Sequence, residues 1–496
     1  MPSDQDSIPA STLNGLFDRS TAFMLVLFTL ITRLYVLIRV PDYAYEDALI
    51  TLRMTVNAAL GHNLIYNLGE RALGTTTPLF AWLMVPAHWV TSDSFHFLIV
   101  VRSACIAMDL MSVWLLYKLV SRYQPWVALV TGLLFACYPS VVFQAETGME
   151  TSLYILLIWS SLFCLDRGYI VRLGILCGLI LWCRPDGLIL IVVALTYLVW
   201  QKKFKECIVL AGVAAVTLLP WTLYSTWYYG SVIPSSLTSK IFTYGHHRKL
   251  FDNLPIMIKQ VILGVYWHRL PLLLLSVYAL IRIPFDLQRY RHLVAPLLWV
   301  IVYFGAFSAG RTVLFPWYLF PIYPFYFLAA LAGLAMLVEK YAPAALAEKL
   351  VKLYSNTGLR YTLWTAVIVS GVLLQTGLVR DMSRGTEEER VGRKALALYM
   401  KTLAKPGDVA MMEPIGYIGY YSELRVLDVI GLVSPEITKE SVAWPNNFGV
   451  LAEKYKPRFA ILRTGEYNNP NNVYVQKNYH ILKSGYAEFY LLERNP

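Results

Sequence analysis

Two adjacent carboxylates, Glu46 and Asp47, follow the first long apolar stretch, Thr21 to Val40, by only a few residues. A carboxylate held where hydrocarbon meets water is costly to place, which marks the pair as a general-base site acting on a lipid-borne substrate. Position alone leaves open which of Glu46 and Asp47 would act, and leaves open a divalent cation (Mg, Mn or Ca) on the pair. The plainer alternative is an acidic first helical turn, worth roughly 0.3–1 kcal/mol against the helix dipole.

Further polar residues stand at similar places. Arg53, His62, Asn63, Asn67, Glu70, Arg71 and the Gly74-Thr75-Thr76-Thr77-Pro78 turn make the loop after Asp47 dense enough in polar groups to bind a hydroxylated ligand. Glu146 and Glu150 exceed what a turn at Gly148 needs and are read as sugar or metal contacts. In Arg184-Pro185-Asp186-Gly187, Pro and Gly break the helix and Asp caps the next one. An Arg at that depth still requires a carboxylate or a phosphate partner, so Arg184 is read as an anion contact. Lys240 and Arg311 are the other cations suited to a phosphate. His246 and His247 lack a third metal ligand at helical spacing.

Composition says what must position these groups. The 496 residues are 57% apolar and 15% charged, with 34 Tyr, 22 Phe and 14 Trp and a mean hydropathy of +0.50. A soluble domain would carry about 25% charged residues, so this is a polytopic membrane protein. The net charge of +11 reads as cytoplasmic loop charge and attraction to anionic lipid, and the chain has no basic nucleic-acid-binding domain. The six cysteines lack zinc or redox spacing and read as packing residues.

About eleven stretches approach the length of a span: Thr21 to Val40, Phe95 to Val120, Trp126 to Phe143, Thr151 to Leu165, Ile170 to Cys183, Leu188 to Trp200, Ile208 to Trp227, Leu270 to Ile283, His292 to Ser308, Tyr318 to Val338 and Thr362 to Val379. Acidic residues before the first and no small-residue cleavage site after it predict a retained span. Lys and Arg gather in alternate links, among them Lys118 and Arg122, Lys202 to Lys205, Arg282 to Arg291, and Lys340 to Arg360. This bias predicts a cytoplasmic N-terminus and puts the polar features above on the outer face. The first outer loop, 41–94, should hold two helices lying on the membrane. Leu49, Leu52, Val56 and Leu60 form the apolar stripe of one, opposite Glu46, Arg53 and Asn57; Pro78 to Val90 is the other. From about Arg380 the pattern becomes soluble: a helix Glu387 to Leu403, then strands Val409 to Met412, Arg425 to Val429, Phe459 to Leu462 and Glu488 to Leu492.

The order Tyr45-Glu46-Asp47-Ala48, Arg53, Gly61 to Arg71 and Gly74 to Leu79 resembles the first outer loop of bacterial GT-C glycosyltransferases of the mycobacterial arabinofuranosyltransferase B type. The likeness continues through Gly148-Met149-Glu150-Thr151, Arg184 to Gly187, Tyr229-Gly230 to Pro234, Ile415 to Tyr421, Val426-Leu427-Asp428 and Gly431-Leu432. Members usually open with two aspartates, and here the first is Glu46, which places the base at Asp47.

The resemblance implies a mainly α fold, a GT-C transmembrane bundle over residues 1–380 with a small periplasmic α/β domain over 381–496. It also implies transfer of a sugar, in a bacterial inner membrane, from a polyprenyl-phosphate donor to a hydroxyl of an envelope glycan, lipid or protein. Arg184, Lys240 and Arg311 would bind the phosphate; Arg53, Asn67, Glu70, Glu146, Glu150 and Tyr229 would bind sugar or acceptor. No phosphate loop or serine nucleophile elbow appears in the sequence. A secondary transporter is the alternative, but it would carry paired half-repeats and mid-span charges, whereas these charges cluster at outer ends. A non-catalytic scaffold would give Asp47 no role.

Overall fold

The computed structural model describes residues 19–245, 248–263, 269–311, 313–341, 356–437, 447–486 and 488–496. His246, His247, Lys349, Lys352 and the acidic residues before position 19 lie outside them.

All eleven expected stretches are helical, but they differ in reach. Six helices among the described residues are long and apolar enough to cross a membrane: Ser20–Arg39, Ser94–Val120, Phe204–Tyr229, Arg291–Ala309, Pro316–Tyr341 and Thr357–Leu403. The chain is therefore a multi-pass membrane protein. Thr151–Arg167, Ile170–Cys183, Leu188–Trp200 and Leu270–Arg282 have only 13 to 17 residues. At 1.5 Å per residue they reach roughly 20–25 Å, short of a hydrocarbon core of about 30 Å.

The expected span Trp126 to Phe143 is broken into Pro125–Cys137 and Pro139–Glu146, which meet at 58°. Pro139 has no N–H to offer the carbonyl of Phe135, and the last turn before the break leaves further carbonyls without helical partners. Buried side chains take their place. Arg33 donates to the carbonyls of Phe135 (3.2 Å) and Ala136 (2.6 Å), Thr32 to Ala136 (2.9 Å), and Gln375 to Cys137 (2.8 Å). Arg33 is itself paired with buried Asp109 at 2.9 Å, so one ion pair ties the first helix, the Ser94 helix and the bend together.

A second buried pair fixes where the first helix ends. Arg102 binds Glu146 at 2.8 Å and donates to the carbonyls of Val40 (2.6 Å) and Pro41 (3.0 Å). Glu146 is fully buried in this pair; its expected role as a sugar or metal contact is corrected to that of a counter-ion holding the chain just ahead of Glu46.

The helices expected on the membrane surface do form, as Glu46–Ala59 and Pro78–Val90. Leu49 and Leu52 are buried as the stripe predicted, whereas Leu60 lies beyond the helix end and is 61% exposed. The polar face is covered by protein. Arg53 is buried and donates to the carbonyls of Tyr66, Gly419 and Leu424, while Asn57 donates to those of Ile65 and Tyr66.

The C-terminal unit continues from the helix Thr357–Val391, within which the expected boundary at 380 falls, and the helix Arg393–Leu403. It holds a five-stranded sheet of β1 (Val409–Met412), β2 (Arg425–Asp428), β3 (Phe459–Arg463), β4 (Tyr479–Tyr486) and β5 (Phe489–Arg494), ordered β2-β1-β3-β5-β4. β1 runs parallel to β2 and β3, and β5 runs antiparallel to β3 and β4. Strand β4 escapes the sequence reading because it is an edge strand with two register shifts and mostly exposed, polar residues, so the period-two signal is weak.

Candidate active site

The Glu46 helix opens with two acids in its first turn, favoured by the positive end of the helix dipole. Asp47 faces a cavity of about 200 Å³ at one end of the bundle. Its walls come from well-separated stretches of the chain, among them Thr75 to Thr77, Met149 and Glu150, Arg184 to Asp186, Ser236 to Lys240, and Trp317 with Tyr318. Leu432 of the C-terminal unit closes it. Burial raises the Asp47 carboxyl above the usual range, and the Lys240 charge, 4.0 Å from its Oδ2, pulls in the opposite direction. Lys240 also lies over the Phe315 and Trp317 rings, 5.0 and 5.4 Å from their centroids.

Arg184 reaches the cavity because Pro185 stops the Ile170 helix and leaves Arg184 extended. Its guanidinium forks onto Asp186 at 2.9 and 2.8 Å and approaches Glu150 at 3.5 Å. Tyr303 adds a hydrogen bond to Asp186. The counter-ion that hydrocarbon depth demanded is thus a carboxylate of the same turn, with Glu150 as the second.

Glu46 turns from the cavity toward the C-terminal unit. Its carboxylate accepts from Arg393 (2.8 Å) and from the backbone N–H groups of Gly416 and Tyr417. Burial nevertheless pushes its pKa up to about 7, with Arg393 and the two N–H groups opposing. A smaller cavity beyond Asp47 is lined by Glu46, Asp47, Lys240, Glu413 and Asp428. Both carboxylates of the opening pair face protein cations, and among the described residues no group of three or more His, Cys, Asp or Glu side chains is placed to hold a metal ion.

Several expected ligand contacts do not line the main cavity. Asn67 pairs with the backbone of Val426 in both directions, and Glu70 bonds Asn67 and Arg425. Tyr229 donates to the Leu64 carbonyl. Together with Arg53 they clamp the first outer loop against its neighbours, which is what made that loop so polar. Arg311 is exposed and outside the cavity lining. The sequence reading missed Ser236, one helical turn before Lys240 on the helix Ser235–Gly245; that i, i+4 spacing was the available signal.

This arrangement, a membrane bundle whose site opens beneath a small α/β unit, is a GT-C-type fold. It aligns with ArnT from Cupriavidus metallidurans bound to undecaprenyl phosphate at a TM-score of 0.62 and 15% identity, covering 94% of this chain and 97% of that one. It also aligns with the oligosaccharyltransferase AglB from Archaeoglobus fulgidus, in complex with an inhibitory peptide and a dolichol-phosphate, at a TM-score of 0.60 and 12% identity over 90% and 70% of the two chains. Residues 75–227 match the family described as dolichyl-phosphate-mannose-protein mannosyltransferase, and residues 380–493 match a domain of unknown function (DUF8728). No curated protein matches the sequence.

Proposed function

We propose that this chain is an integral-membrane glycosyltransferase that moves a sugar from a polyprenyl-phosphate donor to a hydroxyl of a cell-envelope glycan, lipid or protein on the outer face of a bacterial inner membrane. The observation that carries the reading is the cavity in which Asp47 stands 4.0 Å from Lys240 beside an aromatic wall of Trp317 and Tyr318. The GT-C-type fold and the mannosyltransferase match over residues 75–227 support it.

The donor already carries a leaving group that departs as a stabilised anion. The protein therefore has three tasks: to deprotonate the acceptor, to hold it behind the anomeric carbon and to neutralise the departing phosphate. Asp47 takes the acceptor proton, helped by burial that makes its carboxylate more basic than an exposed one. The acceptor oxygen then forms a bond to the anomeric carbon as the bond to the phosphate oxygen breaks, with inversion. Lys240 meets the negative charge that develops on the phosphate. Arg184 shapes the wall through Asp186 and Glu150, and the three threonines of the Gly74 turn supply hydroxyl contacts for the sugar. Residues 1–380 form the catalytic module and 381–496 an outer-face unit that covers it.

The test is transfer by purified protein from polyprenyl-phosphate sugars to envelope fractions. Asp47→Asn should lower turnover by about 10²–10⁴-fold with donor binding retained. Full transfer by this variant would remove Asp47 as the base, and accumulation of soluble solutes in vesicles without any transfer would mark a transporter.

A further inference from the structure

Three serines on the helix Ser235–Gly245 have distinct situations. The single hydroxyl proton of Ser235 is shared between the carbonyls of Leu73 and Leu432, and Ser239 donates to that of Gly431 at 2.6 Å. Both are accounted for by packing of this helix under the C-terminal unit. Ser236 is not: it is 5% exposed, its Oγ has no hydrogen-bond partner among the described residues, and it lines the same cavity as Asp47 and Lys240. A buried hydroxyl without a partner is unfavourable, and a ligand in the cavity would remove that cost.

The placement identifies the ligand's chemistry. Ser236 lies in the first turn of an 11-residue helix, where the dipole favours negative charge. Lys240 stands four residues on, so both side chains rise from one face. Arg184, the other cation of the cavity, is already forked onto Asp186.

We propose that Ser236 and Lys240 form a two-point phosphate cradle, in which the Ser236 hydroxyl donates to a phosphoryl oxygen while Lys240 neutralises the charge. The inference rests on the polyprenyl-phosphate reading above and locates the phosphate on the Lys240 side of the cavity, away from Arg184.

The experiment measures binding of a short-chain polyprenyl phosphate, and of the same polyprenol without phosphate, to the full chain in detergent. Ser236→Ala should weaken phosphate binding about tenfold and leave the alcohol unchanged, while Ser236→Thr should retain wild-type binding. Ser236→Cys, similar in size but a weak donor, gives the same reading if the Ala variant does not fold. Wild-type affinity in both the Ala and Cys variants, or equal weakening toward phosphate and alcohol, would overturn the cradle and leave the donor reading standing. A wild-type protein that does not distinguish phosphate from alcohol would instead remove the donor reading itself.

Discussion

Lys240 Nζ lies 4.0 Å from Asp47 Oδ2, so the proposed base and the proposed phosphate contact are coupled before any ligand arrives. Burial raises the Asp47 carboxyl and Lys240 lowers it. Only the ionised carboxylate accepts a proton, so kcat/KM should rise with pH as Asp47 ionises. In Lys240→Gln the opposing charge is gone, and this acidic limb should move to higher pH while affinity for the sugar donor falls. Profiles of kcat/KM against pH for the two proteins check both effects; an unmoved limb would uncouple the pair.

Arg184 and Asp186 form a mostly buried, bidentate pair. Removing one partner of such a pair leaves a charge without its counter-ion, at a cost of about 3–5 kcal/mol. Asp186→Asn should therefore lower the thermal midpoint in detergent strongly, with Glu150 at 3.5 Å only a partial substitute. If Asp186→Asn retains the wild-type midpoint, Arg184 does not depend on this carboxylate.

Arg53 supplies three backbone carbonyls with donors, two of them in the C-terminal unit. Arg53→Ala removes all three donations; Asn57 still serves the Tyr66 carbonyl and the Glu423 N–H that of Gly419, so the main loss falls on the Leu424 carbonyl, at about 1–3 kcal/mol. The expected result is faster hydrogen exchange over residues 416–424 together with lost transfer activity, since this joint also flanks Glu46 and the closing Leu432. Unchanged exchange there would show the joint to be held by other contacts.

The carboxyl of Glu46 is raised from 4.5 to about 7, chiefly by burial. The folded chain then holds this proton more tightly than the unfolded one, so the contribution of Glu46 to stability is full below about 4.5 and declines as pH rises toward about 7, by up to about 3 kcal/mol. Glu46→Gln has no proton to lose. Its thermal midpoint should lack that decline, which paired melting curves across this pH range will show.

What could be read from the sequence depended on how local the signal is. Apolar run length revealed all eleven helical stretches, and the Pro and Gly of the Arg184 turn revealed the break that positions the guanidinium. The first outer loop was legible as polar but not as to purpose. Arg53, Asn67 and Glu70 look like ligand contacts in sequence, yet their partners lie about 360 residues away, at Gly419, Val426 and Arg425. Glu146 misled for the same reason, because its counter-ion Arg102 sits on a different helix.

The sequence by itself determined that the chain lives in a membrane, that it is mainly helical with a C-terminal α/β unit, and that acids and cations stand at the ends of its apolar stretches. Hydropathy and helix breakers act over a few residues, so a linear reading captures them. Only the tertiary structure decided which charges meet. It joined Asp47 to Lys240, gave Arg184 to Asp186, and turned Glu46 toward Arg393. Each buried charge takes whichever partner the packing brings within a few ångströms, and that distance is not written in the spacing of the residues along the chain.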